Sequence, residues 1–181
     1  MEILEVLVKR KSYRSFDKQL LNKSEIDLLF ETARIAPSSS NAQAWKYFYA
    51  VRGTEAFDKV LNSLAVGNQG WAKNAALLIV STAAKENDNG SKYIHAWHDV
   101  GLANSQLILQ ATHMGYFGHM MGGFSTEKAI KAISLPESHE PVCVIAVGKQ
   151  GDGSDLSDEL KFRENQDRVR KPIEEVVQEI S

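Results

Sequence analysis

The 181 residues are 43% apolar and 24% charged, with a net charge of −2 and one cysteine. That length buries a core without splitting in two, so one domain over residues 1–181 is expected, and no repeat or low-complexity tract argues for a solenoid or disorder. The charge gives no overall positive field for nucleic acid or an anionic membrane surface, no apolar run approaches membrane-spanning length, and the opening Met1-Glu2-Ile3-Leu4-Glu5 is too acidic for a secretory leader.

At the start of the chain Ile3, Val6 and Leu7 recur at helical spacing over residues 2–9, and residues 10–16 break that period. If residues 10–14 are extended, their side chains alternate, so Arg10, Ser12 and Arg14 face one spot. A helix is expected over 24–35, with Ser24 as its N-cap and Pro37 opposing continuation. Residues 37–43 are dense in hydroxyl and amide groups and read as a loop, followed by an aromatic, β-branched strand over 45–51. A helix after Thr54 and a buried strand over 77–80 come next. The longest helix is expected over 95–114, nearly uncharged after Asp99 and therefore buried. Gly115-Tyr116-Phe117-Gly118 ends it, Gly122-Gly123 makes a turn, and Ser125 caps a short helix that stops before Pro136. Val142 to Val147 reads as another buried strand, residues 151–158 as a surface loop, and Pro172 as the first turn of a closing helix. Strands separated by helices make this an α+β or α/β chain.

The usual signatures of self-sufficient catalysis are missing. There is no G-x-x-x-x-G-K-[ST], no G-x-G-x-x-G after a strand, no G-x-S-x-G and no H-E-x-x-H. Such a chain suits chemistry carried by a bound cofactor. The positive signal is a pair of basic clusters at opposite ends of the sequence, Arg10 with Arg14 and Arg168 with Arg170. A guanidinium fork matches phosphate oxygens, so the four together would make a dianion site if folding unites them. Spacing alone favours a solvated charged face.

Arg10-Lys11-Ser12-Tyr13-Arg14-Ser15-Phe16 resembles the R-R-S-x-R-x-F element of the nitroreductase family, and Ala36-Pro37-Ser38-Ser39-Ser40-Asn41-Ala42-Gln43-Ala44-Trp45 resembles its A-P-S-x-x-N-x-Q-P-W element. Asn68-Gln69-Gly70-Trp71, Asp99-Val100-Gly101-Leu102-Ala103, Gly122-Gly123-Phe124 and Arg168-Val169-Arg170-Lys171-Pro172-Ile173-Glu174-Glu175-Val176-Val177 are similar to further family elements in the same order, so the resemblance spans essentially the whole chain. It implies an α+β sandwich with a mostly antiparallel central sheet flanked by helices, an intertwined homodimer, and FMN at the subunit interface. NADH or NADPH would supply electrons and a small electron-poor acceptor, nitroaromatic or quinone, would leave with them by ping-pong exchange in one slot. Carried over residue by residue, Arg10, Lys11, Ser12, Arg14, Arg168 and Arg170 would bind the FMN phosphate and ribityl chain. Asn68, Met121, Gly122 and Gly123 would border the isoalloxazine ring, and Pro37, Ser38, Ser39 and Asn41 would contact the flavin of the other subunit. Ala44 departs from the family pattern, which has proline there. Residues 83–97 match no motif, leaving Tyr93, His95 and Trp97 as candidates to face substrate.

Rival readings are weaker. His95, His98 and Asp99 could ligate a metal, but no fourth ligand is nearby; no metal site is expected. Asn87-Asp88-Asn89-Gly90 and Asp152-Gly153-Ser154-Asp155 lack the ligand order and closing glutamate of calcium loops. Cys143 lies in an apolar run, where thiols are usually inert, and a lone cysteine fits a reducing compartment, so a cytoplasmic location is expected. The alternative function is a flavin-binding regulatory or storage protein without fast turnover.

Overall fold

A computed structural model describes residues 2–87 and 89–180. In chain order its elements are α1 (Glu5–Lys9), α2 (Lys23–Arg34), β1 (Trp45–Val51), α3 (Glu55–Leu61), α4 (Val66–Ala72), β2 (Leu77–Ala84), α5 (Ala96–His113), β3 (Phe117–Met121), α6 (Thr126–Ile133), β4 (His139–Gly148) and α7 (Asp158–Asn165), with short 3-10 turns at Ser39–Asn41 and Ile173–Glu175. Among the described residues the sheet has four strands in the order β1-β2-β4-β3, every neighbouring pair antiparallel.

The sheet is covered on both faces, and the sequence of β2 shows why. Leu77 and Ile79 point into one apolar cluster with Leu29 and Ala33 of α2 and Leu107 and Ala111 of α5. Leu78 and Val80 point into the other, with Phe57 and Val60 of α3 and Trp71 of α4. Side chains alternate along a strand, so a strand buried on both faces reads as one continuous apolar run. The expected α+β sandwich is therefore the observed architecture. No helix among the described residues is long and apolar enough to cross a membrane.

Several boundaries differ from expectation. The N-cap of α2 is Asn22, not Ser24: the Asn22 side chain accepts from the Glu25 N–H at 3.0 Å while the Glu25 carboxylate accepts from the Asn22 N–H at 2.7 Å, a reciprocal box that satisfies two orphan donors. β2 runs past residue 80 to Ala84, and β4 starts at His139, the extra pairs continuing across a register shift at Ser81/Thr82, where Pro141, which has no N–H for the ladder, is tolerated. Residues 117–121, read as the end of a helix and the approach to a turn, form edge strand β3. Neither α4 nor α7 is among the elements the sequence pattern predicts. The only buried residue of α7 is Glu164, so that helix carries no apolar stripe. The closing helix expected from Pro172 is a single 3-10 turn, with Ile173, Val176 and Val177 exposed.

α5 and β3 approach closely at Gly118, where an added Cβ would stand 2.5 Å from Ile108 Cγ2 and 3.0 Å from its Cβ. Those atoms sit near the helix backbone and have little room to move. Gly118→Ala is expected to lower stability by about 1–3 kcal/mol in urea unfolding; an unchanged midpoint would show that α5 shifts freely.

Candidate functional site

The first and last parts of the chain meet in a cleft of about 580 Å³ lined by Arg10, Lys11, Ser12, Arg14, Arg168 and Arg170, with His119 of β3 among its walls. Arg168 fixes the meeting. Its guanidinium donates to the carbonyls of Leu7 at 3.0 Å, Val8 at 3.1 Å and Arg10, the acceptors that the end of α1 leaves without helical partners. Arg10 donates to Ser12 Oγ at 3.4 Å, which puts the first and third residues of the motif on one side as the alternation predicts.

Electrostatics suit this cleft to an anion. Partial burial, then the charges of Arg168 and Arg170, draw the Arg10 pKa below its ordinary value. Among the described residues the ion pairs use other cations. Three guanidiniums are thus held against mutual repulsion without a carboxylate partner, an arrangement that a multiply charged anion relieves.

Two residues that the sequence did not single out hold the floor of this cleft. Glu164 of α7 is buried and accepts from the backbone N–H of Arg14, the N–H of Ser15 at 3.0 Å and the Ser15 hydroxyl. Its carboxylate ties the basic motif to the C-terminal segment. His119 sits with Nδ1 3.0 Å from the Tyr13 carbonyl and its ring 4.7 Å from that of Trp71. No sequence signal marks it, because residues 117–121 read as the end of a helix and the approach to a turn rather than as β3.

From His119, three residues of β3 and its exit lead to the glycine turn at Gly122-Gly123, roughly 10 Å of extended chain. There the Asn68 amide donates to the Gly123 carbonyl at 3.2 Å, and the Ala65 N–H donates to the same oxygen at 2.9 Å. A Cβ at position 123 would lie 3.1 Å from Asn68 Nδ2, whereas at 122 it would meet nothing within 4 Å. Asn68 and the glycine turn, both expected to border the flavin ring, are thus neighbours in the fold. The Met121 side chain is buried in the core, so only its backbone reaches the turn; the exposed methionine is Met120.

The Pro37–Asn41 loop lies elsewhere. Ser38 Oγ accepts from the Gln43 N–H at 3.0 Å, and Ser40, Asn41 and Gln43 take positive φ of 51°, 56° and 50°. Such backbone is costly for residues other than glycine, so something must hold it. Buried Asp99 does: its carboxylate accepts from the Ser39 N–H at 3.0 Å and the Tyr93 hydroxyl at 2.5 Å, and lies 3.0 Å from His98 Nδ1. Burial works to raise the Asp99 pKa, but the bonds from Tyr93, His98 and Ser39 outweigh it and the net shift is downward. Burial and then Asp99 push the Tyr93 phenol up to about 12. Tyr93 is thus a structural donor and not free to meet substrate, while Trp97 is exposed and donates to Glu140. His95 borders two hollows beside the loop, of about 810 and 320 Å³. His98 and Asp99 touch, and among the described residues no three His, Cys, Asp or Glu side chains gather for a metal.

One chain does not bring this loop to the arginine cleft. β1 and β3 are the two edges of the sheet, three spacings of about 4.8 Å apart, and the loop lies about 20 Å along β1 from the row holding His119.

The family model described as the nitroreductase family matches residues 7–65 and 50–149. A 15.4 kDa protein of Mycolicibacterium smegmatis is 30% identical over 128 residues, covering 68% of this chain and 85% of its own. FMN reductase (NADPH) of Bacillus subtilis is 27% identical over 164 residues, covering 80% of this chain and 64% of its own. A solved structure described as an oxidoreductase containing FMN superposes with a TM-score of 0.93 at 30% identity, covering 99% of this chain and 92% of that one. With the matched region taking in the basic motif, the Ser38–Asn41 loop, Asn68 and the glycine turn, this chain belongs to the nitroreductase family.

Proposed function

We propose that this chain acts as a homodimer that takes reducing equivalents from NADH or NADPH and passes them to a small electron-poor acceptor, a quinone or nitroaromatic, the two using one open slot in turn. It is an NAD(P)H-dependent FMN oxidoreductase of the nitroreductase type. The carrying observation is the guanidinium cluster that the two ends of the chain build without a carboxylate partner among the described residues, a donor set that fits a phosphate dianion. The glycine turn and the Asn68 amide lie a ribityl-like reach away along β3 and offer backbone and amide groups to a planar ring.

In this reading Arg10, Arg14, Arg168 and Arg170 hold the phosphate, with Lys11 and Ser12 beside it. Asn68 and the N–H groups of Gly122 and Gly123 orient the ring edge, where fixed dipoles stabilise negative charge. When bound, FMN supplies the electron-carrying ring, and no side-chain acid or base is assigned. The Pro37, Ser38, Ser39 and Asn41 loop of a second copy closes the site, since the same chain's loop lies too far away. Exposed Ile3, Leu4 and Val8 at one end and Ile173, Val176 and Ile180 at the other are apolar surface that such a dimer would cover. Buried Cys143, its thiol pushed up to about 11 by burial, suits a reducing, cytoplasmic setting.

The purified protein is expected to be yellow, to bleach anaerobically with NADH or NADPH, and to recover its colour when a quinone or nitro compound is added. A flavin that never bleaches would favour the storage or regulatory reading. In sedimentation the coloured species is expected at twice the chain mass; colour on a monomer would remove the shared site.

A further inference from the structure

The His119 imidazole has a place in the arginine cleft that its role in the sheet does not require. It stands on an edge strand, lines the cleft and lies against Trp71, which holds the ring at 4.7 Å. A carbonyl only accepts, so the 3.0 Å contact with Tyr13 O places the hydrogen on Nδ1 of the neutral ring. Nε2 is then an acceptor; among the described residues no donor hydrogen-bonds to it, and the backbone of Ser12, the other main-chain group acting on the ring, offers a carbonyl that cannot supply a hydrogen.

An acceptor nitrogen in a cleft of guanidiniums is mismatched to an incoming phosphate, whose oxygens also accept. One proton removes the mismatch. We propose that His119 belongs to the anion site and that its Nε2 takes a proton from solvent when a phosphate dianion enters the cleft, returning it when the dianion leaves. This rests on the FMN reading above and adds a proton to it: the dianion and one H⁺ bind together, Nε2–H forms, and no other bond changes.

The surroundings set the direction. Arg10, Lys11 and Arg14 from the N-terminal segment and Arg168 and Arg170 from the C-terminal one oppose the imidazolium, while Glu164 of α7 and Asp167 favour it; Lys9 is paired with Glu5. Burial is the largest influence and holds the His119 pKa below its ordinary value, with Arg14 adding to it against the carbonyls of Tyr13 and Ser12 and the charge of Glu164. Without the dianion His119 is therefore neutral at neutral pH, and a dianion beside it raises the pKa. Affinity must then strengthen as pH falls from the bound pKa towards the free one, by up to about tenfold per pH unit for one full proton.

The test is calorimetry of FMN and of riboflavin, which lacks the phosphate, binding to flavin-depleted protein in buffers of different ionisation enthalpy, for wild type and His119→Gln. The phosphate's own second pKa near 6 releases protons in both proteins, so the difference between them isolates the imidazole. The expected result is greater proton uptake with FMN in wild type than in the variant, and no such difference with riboflavin. Equal proton counts in the two proteins overturn the proposal while leaving the FMN site standing. Failure of FMN to bind wild type overturns the FMN reading and this one with it. Should the variant not fold, NMR titration of the His119 ring in wild type decides: the pKa must rise on adding FMN, and an unmoved value refutes the coupling.

Discussion

Replacing Arg168 with alanine is expected to weaken FMN binding by about 1.5–3 kcal/mol, roughly a 10- to 150-fold rise in Kd, because a charge-assisted bond to phosphate is lost. The structure adds a second reason. Arg168 also donates to three carbonyls at the end of α1, and without that grip Arg10 is no longer presented to the cleft in a fixed position. Arg168→Lys keeps the charge but not the planar fork, so it should recover only part of the loss. Arg10→Ala should cost less than its own bond to phosphate, since removing it also relieves repulsion with Arg168 and Arg170. The two effects should therefore not add in the double variant. Quenching of flavin fluorescence reads all four variants against wild type, and added salt should shrink the differences. Riboflavin is the control: its binding should be nearly indifferent to Arg168. Unchanged FMN affinity in both single variants would remove the phosphate assignment.

Asp99→Ala is expected to destabilise the fold by about 3 kcal/mol, because it strands the buried Tyr93 hydroxyl and the Ser39 N–H without an acceptor. The depressed pKa of Asp99 adds a pH signature. A carboxyl that holds its proton less tightly when folded contributes stability that is fully present above its unfolded pKa, near 3.9, and is lost as pH falls through the lower folded value. Wild type should thus lose urea stability below about pH 4, and Asp99→Ala should lack that component of the slope. Tyr93→Phe removes one of the three interactions and should fall between the two. The same variants should loosen the Ser38–Asn41 loop, whose positive-φ residues depend on Asp99 for their hold. Equal stability of Asp99→Ala and wild type at pH 7 would show that the cluster does not hold this loop.

How much of this was legible beforehand depends on whether a feature is local. β1 was readable to the residue because aromatic and β-branched content is a property of the segment itself. The N-cap of α2 was misplaced by two residues since Asn22 and Ser24 both have capping side chains; the deciding partner was Glu25, three residues after Asn22. β3 was missed because Phe117-Gly118-His119-Met120-Met121 has weak strand character, and its identity comes from pairing with residues 144–148 far along the chain. α7 was missed because its one buried side chain is charged and points at backbone 150 residues away.

The site divides in the same way. The basic motif, the hydroxyl-rich loop, Asn68 and the glycine turn were visible as residue types in order, because each needs only its own side chain or the absence of one. Their company was not visible. Glu164 and His119 carry no motif, and they matter only where α7 and β3 bring them beneath Arg14 and Tyr13.

The sequence by itself determined that this chain has a core with strands buried on both faces, two arginine pairs at its ends and a hydroxyl- and amide-rich loop before β1, since composition and period are fixed by covalent order. Only the tertiary structure decided that the arginines share one cleft and that the loop lies a sheet's width away from it. Both are long-range facts: they follow from how apolar faces bury one another, and burial has no preference for neighbours in the chain.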